Sequence, residues 1–116
     1  MAVDNLRKAA ISIATATVGD NSIVAAVAAQ GTGSGAYTPP LRIHGIQFTV
    51  GGATNLTFKD GASTSLSGAE VYTGNGSSKV LQINEEPYYY CQPGNAFIIN
   101  SSAAVSIMGT VYYRQG

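Results

Sequence analysis

Residues that turn or break the backbone recur along this chain at intervals too short for most helices. Gly19-Asp20-Asn21, Gly31-Thr32-Gly33-Ser34-Gly35, Pro39-Pro40, Gly51-Gly52, Asp60-Gly61, Gly74-Asn75-Gly76, Pro87, Pro93-Gly94 and Gly109 punctuate it. Glycine reaches left-handed backbone at no steric cost and proline fixes φ, so both end regular elements. The stretches between them run about five to ten residues and are rich in Val, Ile, Thr, Phe and Tyr, the residues that suit a pleated surface. Short strands at even spacing predict an all-β antiparallel sandwich of about eight strands.

Individual segments carry period-two alternation. Thr54-Asn55-Leu56-Thr57-Phe58-Lys59 places Leu56 and Phe58 on one face of a half-buried strand. Leu41-Arg42-Ile43-His44-Gly45-Ile46-Gln47-Phe48-Thr49-Val50 alternates as well, but its apolar set changes parity between Ile43 and Ile46, so a bulge is expected across Gly45. Val105, Ile107, Val111 and Tyr113 share one side of a late, long strand, and Gly109 leaves room there for a close approach. Residues 79–83, 88–91 and 96–100 are shorter strands, and 69–73 a weaker one. Residues 23–29 read as a strand, because seven residues are few for a helix in spite of the alanines. Asp4 is placed to cap a brief helix through Ala10, and residues 11–18 alternate enough to pair.

The domain division expected is an N-terminal arm or swapped strand over residues 1–20 and a sandwich over 21–116. The alternative for the arm is a first strand in its own sheet.

Charge narrows the function. Six Lys and Arg balance six Asp and Glu, and charged residues are only 10% of the chain, far below the usual quarter. With no basic run to neutralise phosphates, nucleic acid is not an expected partner. No apolar window approaches the length of a membrane span, so no membrane is expected either. Asp4 ahead of the basic pair Arg7-Lys8, with no unbroken apolar run after it, argues against a signal peptide. A single Cys forms no disulfide within the chain and fits a reducing cytoplasm. Solubility falls to 11 Ser, 10 Thr, 7 Asn and 14 Gly, a neutral surface whose copies repel one another weakly.

Reactive constellations are sparse. His44 is the sole imidazole, no G-x-S-x-G elbow occurs, and a lone strand histidine is read as structural or solvated. Glu85 and Glu86 are adjacent, so an extended segment points them apart and they form a solvated turn before Pro87. The glycine-rich 31–35 segment lacks the lysine of a phosphate loop and runs into Tyr37-Thr38-Pro39-Pro40 where a helix should begin, so it reads as a flexible connection. One His and one Cys cannot build the common zinc sites. Cys91, in an aromatic segment without a basic neighbour, reads as buried and inert. Asn55, Asn75 and Asn100 head sequons, which a Ser/Thr-rich chain produces by chance. No catalytic, cofactor-binding or metal-binding residue is therefore assigned, no cofactor is expected, and the chain is read as no enzyme.

Tyrosine stands out. Tyr88-Tyr89-Tyr90 and Tyr112-Tyr113 alternate faces, so some phenols must be exposed, as is favoured at protein contacts; with no Trp, sugar stacking is the weaker option.

Ile23-Val24-Ala25-Ala26-Val27, then Leu41-Arg42-Ile43-His44-Gly45, Thr57-Phe58-Lys59-Asp60-Gly61 with Leu66-Ser67-Gly68, Pro93-Gly94-Asn95-Ala96-Phe97 and residues 105–112 follow one another in an order that resembles the small β-sandwich virion proteins of tailed bacteriophages, including capsid decoration or cement proteins. The resemblance implies a jelly-roll-like sandwich, a homotrimer in many cases, that binds the major capsid protein on the outer shell of a virion assembled in the bacterial host cytoplasm. The connection over residues 31–40 departs from it, and the first 20 residues lie outside it. Contacts to the shell or between subunits are expected at Leu6, Arg7, Ile11, Ile13, Tyr88 and Tyr112. The alternative is a carbohydrate-binding or host-adhesion module of a phage head or tail fibre.

Overall fold

The computed structural model describes residues 9–116. They form β1 (Ala9–Thr15), β2 (Gly19–Val24), β3 (Leu41–Val50), β4 (Thr54–Asp60), β5 (Thr64–Ser65), β6 (Glu70–Tyr72), β7 (Ser78–Leu81), β8 (Tyr89–Cys91), β9 (Phe97–Ser101) and β10 (Ile107–Gln115). Sheet A runs β1-β10-β3-β7, with β8 also on β3; sheet B runs β2-β9-β4-β5, with β6 also on β4. All pairings are antiparallel.

Two edges are interrupted rather than doubled. β7 pairs with residues 46–49 of β3 and β8 with residues 41–43, while β6 and β5 divide β4 in the same way. Taking each couple as one broken strand reduces the ten strands to eight. In that count the first strand pairs with the last, the second with the seventh, the third with the sixth and the fourth with the fifth. This is the winding of a jelly roll, the all-β sandwich expected from the sequence.

The two inner faces supply the core. Ile13, Leu41, Ile43, Ile46, Phe48, Val50, Leu56, Phe58, Phe97, Ile99, Ile107 and Val111 are all buried in it. Phe58 is its aromatic centre, stacked on Phe97 at 6.1 Å, tilted against Tyr89 at 5.4 Å and edge-on to Phe48 at 6.2 Å. Lys79 Nζ lies 3.2 Å from the Glu70 carboxylate and 5.6 Å over the Phe58 ring, tying the broken edge of sheet A to that of sheet B.

The parity change in β3 is a bulge. Tyr112 faces Gly45 and Tyr113 faces Ile43, which leaves His44 as the extra residue, one position before the glycine. Gly109 makes the close approach expected of it: a Cβ there would lie 1.9 Å from the Gln47 carbonyl oxygen and 2.5 Å from Phe48 Cα.

Four expectations need correction. First, residues 9–15 are a strand of the chain's own sheet A, in unbroken register with β10, which is the alternative given for the arm. The helix proposed through Ala10 is excluded at Ala9 and Ala10, and its earlier residues lie outside the described ones. Second, β2 starts at Gly19 and ends at Val24, earlier than the alanine-rich stretch suggested. Asp20 and Asn21 look like turn residues, but in the strand their side chains are satisfied: Asp20 accepts from Lys59 and Asn100, and the Asn21 amide donates to the carbonyls of Thr17, Gly19 and Ile99. Third, the 31–35 segment is not an open connection. It makes a 3-10 turn at Gly33–Gly35, closed by a bridge between Gln30 and Tyr37. Fourth, Val105 precedes the last strand rather than opening it.

Candidate functional site

Strand pairing fixes what sheet A shows to solvent. Partners across antiparallel strands share a face, and with Ile107, Val111 and Tyr113 turned to the core the outer rows follow from the register. They read Ala14, Met108, Thr49, Ser78; then Ser12, Thr110, Gln47, Val80; then Ala10, Tyr112, Gly45; then Arg114, Arg42, Tyr90. These rows contain no carboxylate. Met108 and Val80 are 56% and 61% exposed and border an open depression of about 260 Å³ with Gln47, Thr49 and Ser78. That volume is below the range of ligand pockets, roughly 300–1,000 Å³.

At the other end of this face Arg42 and Arg114 oppose each other, like charges that repel in this position. Arg42 stacks on the Tyr90 ring at 5.2 Å, and among the described residues neither arginine has an ion-pair partner. Between the two ends the 82–88 connection lies on the sheet over Gly45, where a Cβ would come within 3.1 Å of Ile83 Cα. The bulge anchors it. Asn84 N–H donates to the His44 carbonyl at 2.9 Å, His44 Nδ1 donates to the Asn84 carbonyl at 2.9 Å, and Tyr88 N–H donates to the Ile43 carbonyl at 2.7 Å. The Tyr88 hydroxyl closes the loop on the Gln82 carbonyl at 2.7 Å.

The expected contact residues divide. Tyr88 and Tyr90 are both 39% exposed, while Tyr89 between them packs into the core. Tyr112 is half-buried on the outer face beside Gly45. Ile11 is 36% exposed on edge strand β1. Ile13, by contrast, is 2% exposed inside the sandwich, so its side chain is already committed to the chain's own core and the reading of it as a contact residue is corrected. Leu6 and Arg7 lie outside the described residues. Sequence reasoning missed Arg42, Arg114, Val80 and Met108, although the parity that buries Ile43 and Val111 already turns Arg42, Arg114 and Met108 outward; Val80 follows only from its pairing with Gln47.

The candidate reactive groups are held in structural roles. His44 is fully buried, with Nδ1 spent on Asn84 and Nε2 enclosed without a partner among the described residues. Asp60 is buried, and its Oδ1 accepts from Gln92 N–H at 3.1 Å and Asn95 Nδ2 at 2.9 Å, pinning the 92–95 turn to the end of β4. Burial, and then the neighbouring Asp60 charge, push the Cys91 thiol up to about 12. Burial and the bond to Glu70 likewise raise Tyr72. Hydrogen bonds from Asn100 and Lys59 lower the exposed Asp20 carboxyl. Glu85 and Glu86 are exposed on the 82–88 connection. Among the described residues no three of His, Cys, Asp and Glu gather closely enough to hold a metal ion.

Comparison with protein-family models, with curated proteins and with solved structures finds no match to this chain.

Proposed function

We propose that this protein is a non-enzymatic structural virion protein, a capsid decoration protein that self-associates and binds the outer shell of a tailed phage. The observation that carries the reading is the outer face of sheet A: strand rows without a carboxylate, Met108 and Val80 exposed at one end, Tyr90 and two arginines at the other, and the 82–88 connection with Glu85 and Glu86 lying between them. Tyr and Arg are the side chains that concentrate binding energy at protein contacts. Contacts available only on an assembled lattice stabilise that lattice by mass action, and many weak ones acting together give firm retention.

The test is co-sedimentation of purified protein with shells that lack it. Tyr90→Ala and Tyr112→Ala are expected to weaken retention about tenfold or more, the cost of losing an anchoring aromatic, while Val71→Ala on β6 leaves it unchanged. Because residues 9–15 are a strand of sheet A and Ile13 is in the core, the truncation that probes the arm removes residues 1–8 only. No retention by the intact protein overturns the proposal.

A host-adhesion module is the second reading, favoured by the exposure of Tyr88, whose hydroxyl sits on the Gln82 carbonyl, and of Tyr90. Glycan-array binding without shell binding would establish it instead.

A further inference from the structure

We infer that β1 is a self-pairing strand: β1 of one copy adds antiparallel to β1 of a second, about a two-fold axis at Ser12, joining the two A sheets into one. This deepens the self-association in the proposed function, though it stands on different observations.

An open sheet edge offers unpaired N–H and C=O groups to any passing strand, and folded proteins blunt such edges with charge, proline, bulges or brevity. Three of the four edges here are blunted. β2 carries Asp20 and loses register between Ser22 and Val24. β5 and β6 have two and three residues with a gap between them. β7 carries Lys79 and is separated from β8 by the 82–88 connection.

Among the described residues the fourth edge has none of these devices. β1 is seven residues, Ala-Ala-Ile-Ser-Ile-Ala-Thr, without charge, proline or bulge, and among the described residues it has a strand on one side only.

Its sequence selects a second copy as the occupant. About Ser12 the strand is nearly palindromic, so a two-fold pairing sets Ser12 against Ser12, Ile11 against Ile13, Ala10 against Ala14 and Ala9 against Thr15. A register slip of one residue would put inner-face isoleucines opposite outer-face Ser and Ala. A slip of two residues would break the palindrome by setting Ala9 or Ala10 outside the described pairing. The Ser12-centred register pairs every described residue of β1 and keeps both inner faces continuous. It also accounts for Ile11, which points to the inner face yet is 36% exposed, because the flank beside it is open in one copy. The partner's β1 backbone, laid along that edge, would cover the flank.

The experiment is disulfide trapping in the full-length protein. Paired residues in an antiparallel ladder have Cα atoms roughly 4.5–5.5 Å apart, within disulfide reach. Ser12→Cys is therefore expected to give a covalent dimer on mild oxidation. Ala14→Cys, on the same face of the same strand, is expected to give none, because its two copies would stand about 13 Å apart along the ladder. Mixing Ala10→Cys with Ala14→Cys restores a crosslink between the two variants. Native Cys91 is fully buried and does not compete.

Ile11→Lys is expected to halve the mass seen by light scattering while the circular dichroism spectrum stays that of the folded protein. Ser12→Cys that remains uncrosslinked, or Ala14→Cys that crosslinks equally well, overturns the pairing. Shell retention is scored separately, so a protein that crosslinks through Ser12 but ignores shells refutes the virion reading and leaves the strand pairing standing.

Discussion

The closest backbone approach in the sandwich is at Gly109, and replacing it with alanine should be the most damaging single methyl addition in the chain. A Cβ at this position would lie 1.9 Å from the Gln47 carbonyl oxygen, 2.5 Å from Phe48 Cα and 2.7 Å from Phe48 Cβ. Two of the three are backbone atoms of β3, so no rotamer change relieves the clash. Ordinary contact requires the central strands of sheet A to part by about 1 Å or more, on a ladder whose spacing is about 4.8 Å. Overpacking of this kind costs roughly 1–3 kcal/mol, and weakening one or two ladder hydrogen bonds adds about 1 kcal/mol each. A total of about 3 kcal/mol corresponds to a fall in Tm of about 12 °C for a domain of this size, at roughly 4 °C per kcal/mol.

The assay is urea and thermal unfolding followed by far-ultraviolet circular dichroism, with Gly68→Ala as the matched control. A Cβ at Gly68 meets nothing within 4 Å and its φ is not left-handed, so that change should be neutral or stabilise by a few tenths of a kcal/mol. If Gly109→Ala unfolds within about 0.5 kcal/mol of Gly68→Ala, the placement of β3 against β10 is wrong.

Other expectations follow from the buried polar groups. The Cys91 thiol, fully buried and pushed up to about 12, should resist a thiol reagent at pH 8 in the folded protein and react at once in denaturant; rapid labelling of the native protein would contradict its burial. Because this folded value lies above the ordinary 9.0, its contribution is intact below pH 9 and is lost as pH rises toward 12. The urea midpoint should therefore fall across that window, and less steeply in Cys91→Ala. Asp60→Ala strands Gln92 N–H and Asn95 Nδ2 and should cost about 1–3 kcal/mol; an unchanged urea midpoint would show that the 92–95 turn is held by something else.

The fold was legible wherever the local pattern and the tertiary outcome agreed. Leu56 and Phe58 alternate in the sequence and both end fully buried, and the parity change in β3 announced a bulge that the pairing with Tyr112 and Tyr113 displays. Legibility failed where a side chain found a distant partner. Asp20 and Asn21 carry the chemistry of a turn, and only Lys59, Asn100 and Ile99, all far along the chain, make them strand residues. Ile11 and Ile13 look equivalent in the sequence, yet one is half open and the other enclosed, because the flank of the sandwich closes between them. The outer face of sheet A was hidden for a related reason. Met108, Val80, Arg42 and Arg114 come from three strands, and only the register brings them together.

The central claim is that this sandwich works by occupying a phage shell rather than by turning over a substrate. The most direct measurement is cryo-electron microscopy of tailed particles purified from the strain that encodes the chain, with the protein quantified in the same particles by mass spectrometry. The account predicts density for the sandwich at equivalent lattice positions over the outer shell, with the outer face of sheet A against the shell or a neighbouring copy. Particles that lack the chain, or that carry it at a single tail or portal position, would contradict it.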